Sequence, residues 1–177
     1  IRNLADYLAA AKARPGEVSY ATSGIGTTVH IAGERLAQQT GVRLNHIPYK
    51  SSSQSVEAVI AGHVVSSWSA VNAALPHIKS GRVRAIAIAS ERRSGFVPEV
   101  PTFLELGVPD MKSDTWIGML APAHLPVPVA TRINAELATL VARPDIRDKI
   151  LGLGAEPISG IETDRFSALM RQEIEGY

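Results

Sequence analysis

Hydrophobic positions at the start of the chain, Ile1, Leu4, Leu8 and Ala11, recur at helical spacing and predict a helix that Pro15-Gly16 stops. Beyond it two kinds of segment alternate. Short β-rich runs near Val18 to Thr22, Leu44 to Pro48, Val64 to Trp68 and Val83 to Ala89 are separated by helical stretches near Thr28 to Thr40, Ser53 to Ala61 and Val71 to Ser80. This alternation predicts a parallel sheet with crossover helices. Gly41, Gly62 and Gly81 each fall just past a helical stretch, where the backbone often takes positive φ.

From Ser90 onward the pattern changes. Arg92 to Pro101 reads as loop, Thr102 to Leu106 as a short helix closed by Gly107, and Thr115 to Ala121 as a strand bounded by Pro122. Three helices are expected after that. Val129, Ile133, Leu137 and Leu140 form one apolar stripe; Pro144 starts a second helix carrying Ile146, Ile150 and Leu153, with Gly154 as its stop; Phe166, Leu169, Met170 and Ile174 line the third. These faces need a sheet that the first half has no strands to spare for, so part of a parent domain is expected to be missing. The expectation is that Leu4, Leu8, Ile117, Met119 and the last three helical stripes either pack together or pack against another copy, the second alternative giving a homo-oligomer.

Composition narrows the function classes. With 177 residues, 45% hydrophobic and 20% charged, the chain is long enough to bury about 70% of its unfolded surface without staples. A formal charge of +1 with interspersed signs offers neither a basic stripe for nucleic acid nor a polybasic patch for anionic lipid. The absence of cysteine removes disulfides, zinc-cysteine sites and thiol catalysis, and fits cytoplasm and periplasm equally. No apolar run approaches the roughly 18 residues of a membrane span. Neither a signal peptide nor an initiator methionine precedes Ile1, and the chain reads as a processed or excised piece.

The candidate chemistry lies between the first β run and the second helix, in Tyr20-Ala-Thr-Ser-Gly-Ile-Gly-Thr-Thr-Val-His30. Gly24 and Gly26 allow a tight turn that exposes backbone N–H groups. Ser23, Thr27 and Thr28 add hydroxyls at the start of a helix, where the macrodipole favours negative charge. A carboxylate or phosphate fits such a loop; an ordinary strand-to-helix turn with a Thr cap fits it equally. In an open parallel sheet the ligand crevice lies beyond the carboxyl ends of the strands. Two more loops belong there, Tyr49-Lys50 with Ser51, Ser52 and Ser53, and the stretch after Trp68 with Ser69 and Asn72. Their hydroxyls and amides suit hydrogen bonding to an anion rather than proton transfer. A hydrogen bond to a charged group contributes about 1.5 to 3 kcal/mol, against about 8 kcal/mol for micromolar binding, so several must converge.

Competing assignments are few. His30 and Glu34 stand i,i+4 but lack a third metal ligand at natural spacing, and no HExxH is present. Lys50 reads either as a counter-charge facing the cleft or as a solvated lysine. Trp68 and Trp116 fit the core better than pocket walls. His30 reads as a structural group near the loop, and His46, His63 and His77 as surface or satisfied histidines. A G-x-S-x-G elbow, a third dinucleotide-fingerprint glycine and a P-loop lysine are all missing. The alternative from another class is a small hydrolase or acyl-transfer enzyme with Ser23 as nucleophile and His30 as base, for which no acidic orienter is evident.

Tyr20-x-x-Ser23-Gly24-x-Gly26-Thr27-x-x-His30, His46-Ile-Pro-Tyr-Lys50 and Ala74-Leu-Pro-His-Ile-Lys-Ser-Gly-Arg-Val-Arg-Ala85, in this order, resemble the extracytoplasmic solute receptors of tripartite tricarboxylate transporters, the Bug or TctC proteins. Val100-Pro101-Thr102 with Glu105-x-Gly107, Trp116-x-Gly118 with Ala121-Pro122, and Gly154-Ala-Glu-Pro157 extend the likeness over nearly the whole chain. The resemblance implies an α/β fold, a parallel-sheet domain like that of type II periplasmic binding proteins plus an incomplete helix-rich second domain. Residues 1–14 would be an interdomain helix, 15–105 the α/β ligand-binding domain, and 106–177 the C-terminal part of the other domain. It further implies a periplasmic receptor and not an enzyme, with no cofactor and no metal. Its partners would be a small carboxylate and the membrane permease subunits, and the ligand would be held by Ser23, Gly26, Thr27, Thr28, Tyr49, Lys50 and Ser69.

Overall fold

A four-residue strand with three fully buried positions organises the first half of the molecule. In the computed structural model, which describes residues 1–113, 117–158 and 163–175, β1 (Ser19–Thr22) lies between β2 (Asn45–Pro48) and β3 (Ser66–Ser67) in a parallel sheet of order β2-β1-β3. Tyr20 is in register with His46 on one side and Ser66 on the other. Helices α2 (Thr28–Thr40) and α3 (Ser52–Ile60) make the crossovers, and α4 (Val71–Lys79) follows β3. Each strand therefore runs into a helix at the same edge of the sheet.

Local chemistry explains the helix ends. Thr27 caps α2, its hydroxyl oxygen accepting from the His30 N–H at 3.4 Å, and Gly41 closes it at φ 67°. Ser51 caps α3 by accepting from the Gln54 N–H at 3.2 Å, while Gln54 reaches back to the Lys50 N–H at 3.2 Å. The first helix, α1 (Leu4–Ala13), is capped by Asn3, which accepts from the Asp6 N–H at 2.8 Å, and Asp6 in turn accepts from the Arg2 N–H at 2.9 Å.

The chain divides into two compact units, Ile1–Trp116 and Ile117–Tyr177. Instead of standing apart as a connector over residues 1–14, α1 contributes Leu4, Tyr7 and Ala11 to the core of the first unit, where they meet Val18, Leu36, Val42, Phe103, Val108 and Met111. Burial of Val108 and Met111 in that core carries the unit past the expected boundary at 105. Leu4 is accordingly buried inside the first unit, and Leu8, half-buried, packs against the same core. Trp68 packs against this core, its ring stacked on Phe103 at 5.2 Å.

Two expected strands differ. Val64 to Trp68 shrinks to Ser66–Ser67, although the Trp68 N–H still reaches the Ala21 carbonyl at 2.9 Å. Val83 to Ala89 forms only a single parallel bridge, Ile88 with Thr102. Its apolar residues are nonetheless used, Ile86 and Ala87 against one core cluster and Ala85 and Ile88 against another. With β3 only two residues long, no continuous backbone edge is offered to it. Thr102 to Leu106 forms consecutive turns rather than a helix, closed by Gly107 at φ 80°.

In the second unit, α5 (Val127–Ala142) contacts both α6 (Pro144–Gly152) and α7 (Thr163–Glu175). The proline start and glycine stop of α6 fall where the pattern places them, with Gly154 at φ 74°. The Phe166 ring occupies the space a Cβ on Gly118 would need. Of the strand expected over Thr115 to Ala121, Thr115 and Trp116 lie outside the described residues, and residues 117–121 are not a strand. Ile117 is 98% exposed. Along α5 an apolar groove of about 570 Å³ is lined by Val129, Ile133, Leu137 and Leu140, with Arg132 and Glu136 beside it.

Candidate anion-binding site

Parallel strands deliver their following loops to one edge of the sheet, and hydrogen bonds past the strand ends hold three loops there. The Tyr49 N–H donates to the Thr22 carbonyl at 3.0 Å, and the Trp68 N–H to the Ala21 carbonyl at 2.9 Å. The Ser23–Thr28 loop is therefore central, with Tyr49-Lys50 on the β2 side and Ser69 on the β3 side. All seven residues singled out in the sequence fall on this edge.

The central loop is shaped by its glycines and by its own hydrogen bonds. Gly24 at φ 135° and Gly26 at φ 77° take backbone conformations that a side chain would strain. Thr27 donates to the Gly24 carbonyl at 2.8 Å, which folds the loop back over the start of α2. Among the described residues the side-chain hydroxyls of Ser23, Thr28 and Ser69 make no hydrogen bond. Thr28 and Val29 open α2, so their N–H groups have no intrahelical acceptor. Unspent donors and the positive end of α2 thus share one turn. Lys50 is exposed on the flank. The carbonyl of Thr28 accepts from the Ser113 hydroxyl at 3.2 Å, which ties the 106–113 segment to the same helix start.

Behind the loop stands a cluster that only the folded chain assembles. The His30 ring stacks on His46 at 4.1 Å, and His46 stacks on Tyr20 at 4.9 Å. The Tyr20 hydroxyl donates to Glu34, and Nε2 of His46 lies 2.7 Å from the Thr22 hydroxyl. Burial and the neighbouring His30 hold His46 below the ordinary histidine range, with Glu34 opposing them. Burial first, and then Glu34, pushes the Tyr20 phenol far above its usual value, so it remains a donor. His46 is thus a satisfied histidine bonded to the strand that feeds the loop. His30 turns Nδ1 to the Gly26 N–H at 3.2 Å and Nε2 toward Glu34 at 3.9 Å. Among the described residues no hydrogen bond joins Ser23 to His30.

A profile of the tripartite tricarboxylate transporter family receptor, TctC, matches residues 1–174. The chain belongs to that family. Protein BugT of Bordetella pertussis is 34% identical over 151 residues, which is 85% of this chain and 46% of BugT. A protein of the tcbD-tcbE intergenic region in Pseudomonas sp. strain P51 is 37% identical over 160 residues, 90% of this chain and 48% of that protein. The chain spans about half the length of the curated relatives it matches. Among solved structures, a periplasmic transporter superposes with a TM-score of 0.90 at 27% identity over 99% of this chain and 58% of its own. R. palustris Rpa4515 with adipate gives 0.82 at 27% identity, over 99% of this chain and 57% of its own. The TctC chain described here is thus an α/β periplasmic-binding-protein fold, incomplete relative to those neighbours.

Proposed function

We propose that this TctC chain is the ligand-holding part of a periplasmic solute receptor, which captures a small carboxylate and passes it to the permease subunits of a tripartite tricarboxylate transporter. The observation that carries the reading is the convergence of the three loops at one sheet edge, with unspent N–H and hydroxyl donors around the start of α2. Ser23, Gly26, Thr27 and Thr28 hold the carboxylate, Tyr49 and Lys50 flank it on one side, and Ser69 flanks it on the other. The adipate in the R. palustris neighbour and the family membership support this ligand class. Binding rather than hydrolysis is favoured because both nitrogens of His30 are directed at Gly26 and Glu34, which leaves that ring no free nitrogen to act as a base for Ser23. No helix among the described residues is long and apolar enough to cross a membrane.

Calorimetric titration of this chain, and of a longer parent that contains it, with adipate and a panel of dicarboxylates, tricarboxylates and acidic amino acids tests the reading. At least one carboxylate is expected to bind the parent. Thr27→Ala is expected to weaken that binding about three- to tenfold while the chain stays folded, because it removes the hydroxyl bond to the Gly24 carbonyl that folds the loop over the start of α2. Failure of every carboxylate to bind either protein overturns the proposal.

A further inference from the structure

The stacked histidines are connected to both glycines of the anion loop. The Gly26 N–H donates to Nδ1 of His30 at 3.2 Å, a bond that requires a lone pair on Nδ1 and so places the neutral ring's proton on Nε2, toward Glu34. Gly24 is reached through Thr22, whose hydroxyl oxygen accepts from the Gly24 N–H at 3.2 Å and lies 2.7 Å from Nε2 of His46. In the neutral state, therefore, His30 occupies an N–H that the loop could otherwise turn to an anion. Protonating Nδ1 removes the acceptor, frees the Gly26 N–H and adds a positive charge beside the turn.

We propose that His30 is a proton-linked positioning residue of the anion loop: neutral, it withholds the Gly26 N–H from the ligand; protonated, it releases that group and strengthens anion binding. This rests on the anion-binding reading given above. The groups around the ring fit the role. Glu34, on the same helix, offers the imidazolium a carboxylate at 3.9 Å. His46 of β2 is disfavoured as a second cation by burial and by His30 itself. Tyr20 of β1, with Tyr7 of α1 behind it, stays neutral because burial raises both phenols. Protonation of His30 thus adds a positive charge within 3.9 Å of the Glu34 side chain.

The sign follows from linkage. An anion that prefers the protonated ring raises the proton affinity of His30, and the proton raises the affinity for the anion by the same factor. The gain is present where the ring carries its second proton and is lost as pH rises and that proton leaves. Each unit by which the ligand displaces that titration corresponds to about tenfold in affinity.

Two measurements on the 177-residue chain test this independently. In an NMR titration between about pH 8 and about pH 6, the histidine range, the Gly26 amide is expected to follow the His30 ring. Calorimetry with adipate in buffers of different ionisation heat is expected to show proton uptake and up to about tenfold tighter binding at the acid end. His30→Gln flattens that dependence, whereas His46→Gln retains it. A Gly26 amide indifferent to His30, adipate binding without proton uptake, or a pH dependence that survives His30→Gln overturns the proposal. If adipate fails to bind at any pH while Gly26 still tracks His30, the anion reading has failed and the coupling falls with it, which the NMR arm distinguishes from failure of the histidine switch.

Discussion

The two units are built from equally regular helices and differ in what those helices bury. Among the described residues, every buried side chain lies between Leu4 and Met111, and α5 and α6 bury none. In the first unit, amphipathic helices close over a sheet, and Leu36 of α2 falls to 1% exposure. In the second, Ile133 and Leu140 of α5 remain 37% and 42% exposed on an equally clear apolar stripe. Capping, proline starts and glycine stops are enough to shape a helix. A core requires a second surface, and the relatives, about twice as long, have chain to supply one.

Substitutions in the two units sharpen this contrast, with unfolding in urea followed by Trp68 fluorescence in a Trp116→Phe background. Leu36→Ala is expected to have the largest effect, a loss of about 2 to 5 kcal/mol in the first unit, because the site is sealed on all sides. Gly33→Ala comes next. A Cβ there would stand 2.5 Å from Cε2 of the fully buried Tyr20 ring, and the overpacking is expected to cost about 1 to 3 kcal/mol. Ile133→Ala in the second unit should cost no more than about 0.5 kcal/mol, the range of surface substitutions. For that variant the readout is helical circular dichroism of the second unit. A loss comparable to that of Leu36→Ala would erase the contrast and show that the α5 face is already covered.

The same contrast explains how much could be read from sequence. The α2 helix matches its predicted range at both ends, since Thr27, the apolar spacing and Gly41 act within a few residues of one another. The loop glycines and the three loops at one sheet edge were legible for a related reason, because strand-helix alternation dictates where such loops emerge. The residues from Val83 to Ala89 are apolar and β-prone yet make only one bridge, because a ladder depends on a partner edge that pattern does not reveal. Val108 and Met111 likewise show no periodicity, and only the folded chain brings them against α1. Beyond the i,i+4 spacing of His30 and Glu34, the cluster behind the loop has no local signal. Thr22 and His46 are 24 residues apart, and parallel pairing alone makes them neighbours.

The central place of β1 also sets an order of assembly. Neither of its edges can be satisfied by nearby chain: the contact from His46 to Thr22 closes over 24 residues, and the one from Val65 to Ser19 over 46. Loop-closure entropy is spent before either edge gains its bonds, which makes this sheet a slow, late step relative to its helices. The Ser23–Thr28 loop begins at the residue after β1, so its shape is inherited from that step. A nascent or partly unfolded chain can hold α2 with its cap intact and still have no site, and recovery of ligand binding during refolding should lag behind recovery of helix.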